Sequence, residues 1–152
     1  MVECTFKLNG KPLSTFEMSS LKFPAFSGLG EHKNRREFAC AAGVGPIPPG
    51  AYYIVNRQSG GRLGPLLDFI KDRSDWFALY AADKHIDDEV FCNTVKRGNF
   101  RLHPAGTRGV SQGCITLTTR TDFNVLRHQL IAAGQVLIPG TSLHAYGRVT
   151  VQ

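Results

Sequence analysis

FRLHPAGTRGVSQGCITL, residues 100–117, starts with the alternation of a half-buried strand. Phe100 and Leu102 point one way, Arg101 and His103 the other, so the apolar pair faces a core and the polar pair shares an open face. A glycine-rich stretch then leads into SQGCITL, residues 111–117. Upstream, WFALY (76–80) reads as a strand buried on both faces and AYYIV (51–55) as a strand of β-branched and aromatic residues. Between them PLLDFIKD (65–72) predicts a short helix with Leu66, Leu67 and Ile70 inward. GPIPPG (45–50) is a rigid turn, and residues 23–38 read as an irregular surface excursion, a candidate pocket wall. Nearer the start, Asn9-Gly10 is a two-residue hairpin signal between Phe6/Leu8 and Leu13/Phe16. Downstream, Thr121 or Asp122 caps a helix through Ala133, with Phe123, Leu126 and Leu130 inward and Gly134 as its stop. VLIPG and the segment Leu143 to Val151 predict closing strands.

With 16 glycines and 8 prolines, the 152 residues are cut into short segments, which favours a β-rich fold over a helical bundle. The length fits one domain, 1–152. Eighteen Lys and Arg against 12 Asp and Glu give a net charge of +6, suited to an anionic partner. The cations are scattered, the densest run being Lys33 to Arg36, and no base-reading or aromatic-basic motif occurs, so nucleic acid is not the expected partner. No apolar run reaches a membrane span and MVECTFKLNG is no signal peptide, which predicts export without a cleaved leader. The four cysteines contain no CxxC. Cys4, Cys40 and Cys92 read as small buried hydrophobes, of which one pair could oxidise outside the cytoplasm.

HPAGTRGVSQGC carries the chemistry. A cysteine nucleophile needs a base, a group that orients the base, and donors for an oxyanion. Cys114 follows Gly113, which permits a tight turn, and the amides of Gly113 and Cys114 can form an oxyanion hole. His103 lies 11 residues upstream across the Gly106/Gly109 loop, and Ser111 can steady the site through its hydroxyl. An ordinary thiol, with a pKa of about 8.5, is mostly protonated at neutral pH, so pairing with His103 is expected to lower it. A metal held by His103 and Cys114 is disfavoured, since zinc sites use close-spaced ligand pairs, and no cofactor is expected. His32, His85, His128 and His144 read as surface residues.

The same stretch resembles the signature of L,D-transpeptidases, in which a His and a glycine-rich segment precede a Ser-x-Gly-Cys block. NGKPLS, FPAFSGLG, GPIPPGAYYI, DWFALY, FRLHPAG, SQGCITL and YGRVTV, in that order, resemble the type VI secretion L,D-transpeptidase effectors almost end to end. The resemblance implies a mainly β (α+β) fold, a mixed β-sandwich with one or two helices. It also implies an attack by Cys114 on peptidoglycan tetrapeptide stems, with His103 as general base and Ser111 as supporting residue. The terminal D-alanine is released, and water or another D-amino acid resolves the thioester. The implied setting is the periplasm of a target bacterium, and the implied partners are a cognate immunity protein and a secretion-system spike or tube component. L,D-transpeptidases commonly carry Arg two residues after the cysteine, where this chain has Thr116. Arg101 is then the first candidate for the substrate carboxylate and Arg108 the second, with Gln112 and Thr116 as further substrate contacts. A housekeeping transpeptidase, a cysteine amidase or endopeptidase cutting another stem bond, and a non-enzymatic peptidoglycan-binding module are the competing readings.

Overall fold

The structure is a computed structural model that describes residues 1–57, 74–106 and 112–152. Eleven strands are described: β1 (Val2–Phe6), β2 (Ser14–Met18), β3 (Leu21–Phe26), β4 (Gly50–Asn56), β5 (Phe77–Ala81), β6 (Glu89–Cys92), β7 (Val95–Gly98), β8 (Arg101–Pro104), β9 (Ile115–Leu117), β10 (Val136–Leu137) and β11 (His144–Val151). One α-helix is described, α1 (Arg120–Ala133). The main sheet runs β1-β2-β3-β9-β8-β5-β4-β11, and β11 returns to pair with β1, so eight strands close into a barrel. The expected sandwich is therefore corrected to a barrel, although the sheet is mixed as foreseen. Two neighbouring pairs, β1–β11 and β8–β9, are parallel. The closing pair joins the two ends of the chain, from Val2 opposite Gly147 to Phe6 opposite Val151, and such a long-range pairing leaves no local trace in either segment.

Alternation places the core. In β11 the residues Ala145, Gly147, Val149 and Val151 turn inward, and β2 buries Phe16 and Met18 against Phe6 and Cys4 of β1. Strand β5 is buried at every position, as its unbroken apolar run predicts. Helix α1 lays Phe123, Leu126 and Leu130, spaced three and four apart, into the same cluster. Its cap is Thr119, whose hydroxyl accepts from the Asp122 amide at 3.1 Å, two or three residues before the expected Thr121 or Asp122, while Gly134 stops it at φ 77° as foreseen.

The N-terminal hairpin forms, but not as a two-residue turn. Asn9 organises a wider loop: its Oδ1 accepts from the Lys11 amide at 3.0 Å and its Nδ2 donates to the Leu13 carbonyl at 2.9 Å. Buried Asn34 fills that loop, donating to the Lys11 carbonyl at 2.8 Å and accepting from the Gly10 amide. The first residues of the supposed irregular excursion, 23–26, belong to strand β3, where Pro24 stands opposite Thr15; the remainder holds two short 3-10 turns, Gly30–His32 and Arg36–Phe38. The predicted helix 65–72 lies outside the described residues.

Candidate active site

Strands β8 and β9 are parallel neighbours, with His103 opposite Thr116 and Leu102 opposite Ile115. Continuing that register, Cys114 stands level with Arg101, on the face shared by His103 and Thr116. His103 and Cys114 thus stand on a diagonal across the two strands, on one face.

His103 keeps its predicted face but is buried, at 5% exposure. Its Nδ1 lies 2.7 Å from the Pro104 carbonyl oxygen, which can only accept, so Nδ1 carries the proton. In the neutral ring Nε2 is then the acceptor, and it faces the Thr116 hydroxyl at 3.3 Å. The imidazole stacks on Trp76 with ring centroids 4.1 Å apart and planes 15° apart. The Arg57 guanidinium covers that indole at 5.8 Å. Helix α1 secures the base of the stack: Arg120 pairs with Asp75 at 2.7 Å and Arg127 donates to the Asp75 carbonyl at 3.2 Å. Fully buried Thr116 therefore stands beside Nε2 and does not line the cleft.

Cys114 is partly exposed and lines a cleft of about 500 Å³, with Asp88, Glu89, Lys96, Asn99 and Gln112 among its walls. The thiol points at the Asn99 carbonyl from 3.9 Å. Gly113 has φ 109°, and a Cβ there would stand 2.7 Å from both Arg97 Nη2 and Phe100 Cε1, so only glycine fits. Arg101 is tied to Asp88 through two bonds of 2.7 and 2.6 Å. Burial pulls its pKa down, but the Asp88 bond and charge, with smaller contributions from Cys114 and Tyr80, hold it above its ordinary value. Its fork is thus occupied by a carboxylate of the protein. Gln112 is exposed beside Cys114, whereas Ser111 and Arg108 lie outside the described residues. Of the remaining histidines, His85, His128 and His144 are exposed; His32 is half-buried, its Nδ1 3.2 Å from the Leu29 carbonyl oxygen.

Sequence reasoning missed the wall of the cleft. Strands β6 and β7 form a separate hairpin about Asn93 (φ 56°), and EVFC-NT-VKRG does carry the signal, two short runs around a two-residue turn. A Cys40–Cys92 disulfide fastens this hairpin to the segment after the second 3-10 turn. Cys4 remains a buried thiol, as expected, and burial followed by the charge of Glu3 pushes its pKa up to about 12.

The Tlde1 domain family matches residues 21–141. No curated protein and no solved structure matches the chain. The match spans β3 to β10, with His103 and Cys114 inside it, and most of the chain's length. The chain therefore belongs to the Tlde1 domain family, type VI secretion effectors with peptidoglycan-related activity.

Proposed function

We propose that the protein is a cysteine L,D-carboxypeptidase and exchange transpeptidase, an antibacterial effector that removes the terminal D-alanine from tetrapeptide stems in the periplasm of a target cell. The observation that carries this reading is the division of labour on His103: a carbonyl holds Nδ1–H, leaving Nε2 as the acceptor on the face that Cys114 shares. Nε2 takes the thiol proton, and the thiolate attacks the carbonyl of meso-diaminopimelate, forming a C–S bond. The amides of Gly113 and Cys114 receive the oxyanion. Collapse breaks the peptide bond, and His103 returns the proton to the departing D-alanine nitrogen. Water then releases the stem by hydrolysis, or the amine of a second D-amino acid takes the acyl group.

Pro104 O orients the base in this scheme, and Ser111 is proposed as a supporting hydroxyl from the same loop. With Arg101 held by Asp88 and Lys96 paired with Glu89, the substrate's polar ends fall to Gln112, exposed in the cleft. A cognate immunity protein that obstructs this cleft and a secretion-system component that carries the effector are the partners proposed. No described helix is long and apolar enough to cross a membrane. The test is incubation with purified tetrapeptide muropeptides, with and without an added D-amino acid, read by mass. Tripeptide products and exchanged tetrapeptides are expected; cleavage at another stem bond would replace this reading with an amidase or endopeptidase.

A further inference from the structure

Arg97, on the cleft hairpin, is 5% exposed and has no carboxylate partner among the described residues. Its guanidinium is spent on carbonyls of the segment that the disulfide also holds: Nη1 donates to Ala39 O and, at 3.2 Å, to Pro46 O, and Nη2 donates to Gly45 O at 3.1 Å. The guanidinium carbon lies 5.4 Å from the Phe100 ring centroid. The far side of the same fork abuts the backbone of Gly113, where an added Cβ would lie 2.7 Å from Nη2. A lysine presents a single ammonium and cannot span three carbonyls with a flat fork while still bearing on Gly113. Burial lowers the Arg97 pKa, but an arginine this basic keeps its charge at neutral pH. A buried positive charge therefore stands directly behind the turn that presents Cys114.

We propose that Arg97 is a positioning residue that sets the Gly113–Cys114 backbone as an oxyanion site. This rests on Cys114 being the nucleophile, but not on the identity of the peptide it attacks. The fork fixes the peptide plane, and the charge favours negative charge developing on that side of the turn. The other charged groups around the site are already paired or stand apart from that plane. Arg101 of β8 is bonded to Asp88, Lys96 of β7 pairs with Glu89 of β6 at 2.5 Å, and His103 stands on the diagonal across β8 and β9.

Two reagents separate this role from a general structural one. Iodoacetamide alkylates the thiolate by displacing iodide and forms no oxyanion. p-Nitrophenyl acetate is attacked at its carbonyl: a C–S bond forms, the C–O bond breaks, p-nitrophenolate leaves with the electron pair, and the thiol proton passes to His103. In Arg97→Met, iodoacetamide labelling of Cys114 is expected to stay within about threefold of the wild type. Acylation is expected to fall by about 100-fold, the scale of a lost oxyanion donor. Arg97→Lys, which keeps the charge, should recover part of that loss and serves as the test if the methionine variant does not fold. Equal losses with both reagents, or no loss with the ester, would overturn the proposal. A wild type that takes up acetyl but leaves tetrapeptides intact would count against the substrate reading and leave this one standing.

Discussion

A histidine that is 5% exposed can act as a base only if its two nitrogens have separate tasks. The Pro104 carbonyl takes one and Thr116 meets the other, while Trp76 holds the ring plane. Against this stands the contrast between the two cysteines outside the disulfide. Cys114 opens on a cleft, whereas Cys4 is sealed in the core with its pKa pushed up to about 12. At pH 8 a thiol with that pKa is ionised to only about one part in ten thousand. Brief treatment with iodoacetamide, followed by peptide mass mapping, should label Cys114 and leave Cys4 untouched; equal labelling would contradict the burial described. The face of His103 was legible in the sequence because alternation is a local signal, and so was the glycine turn before Cys114; the catalytic roles of both belong to the proposal. Trp76 and Asp88 were not, because they reach the site from segments whose neighbours are set only by the order of strands in the sheet. Arg101 was placed on the right face, but its partner was not, since Asp88 sits in a stretch with no periodicity of its own.

The β6–β7 hairpin is the element on which the cleft depends. It belongs to a sheet of its own, and its fastenings are the Cys40–Cys92 disulfide, the Arg97 fork and the Arg101–Asp88 pair beside it. The disulfide closes a sequence separation of 52 residues, which on chain entropy amounts to about 4 kcal/mol. Reduction, or the paired change Cys40→Ser with Cys92→Ser, is expected to lower the unfolding free energy by about 2–4 kcal/mol in urea titrations. Superimposable curves with and without reductant would show that the bridge adds nothing. The sequence offered three non-nucleophilic cysteines without a spacing that pairs them; the fold supplies the pairing by laying the hairpin across residues 39–46. Helix α1 was more legible, because its stripe of Phe123, Leu126 and Leu130 and its glycine stop are internal to one segment. Its start was misjudged because Thr119, Thr121 and Asp122 are all competent caps, and only the backbone chooses among them.

At the scale of the molecule, closure of the barrel by β1 and β11 joins two segments that both lie outside the residues that match the family. It also buries groups that resist ionisation. Cys4 holds its proton up to about 12, well above an ordinary thiol, and burial above all raises Tyr52 too. The unfolded chain therefore releases these protons first as pH rises, and stability falls across the window from about 9 to 12, by no more than about 1.4 kcal/mol per pH unit for each group. Thermal melts between pH 8 and 11 should show a declining midpoint, and Cys4→Ala should flatten part of that decline; a midpoint constant over this range would contradict it. The β-rich class was readable from turn residues and short apolar runs, whereas barrel closure was not, because it is a pairing of chain ends. On the proposed reading, the sulfur of Cys114 is the group that this architecture serves. Mass measurement of the intact protein after rapid acid quench with tetrapeptide is the most direct check. The account predicts a transient adduct on Cys114 equal to the stem without its terminal D-alanine, absent in Cys114→Ala. Turnover by Cys114→Ala at the wild-type rate, or turnover by the wild type with no adduct on Cys114 under any quench, would contradict it.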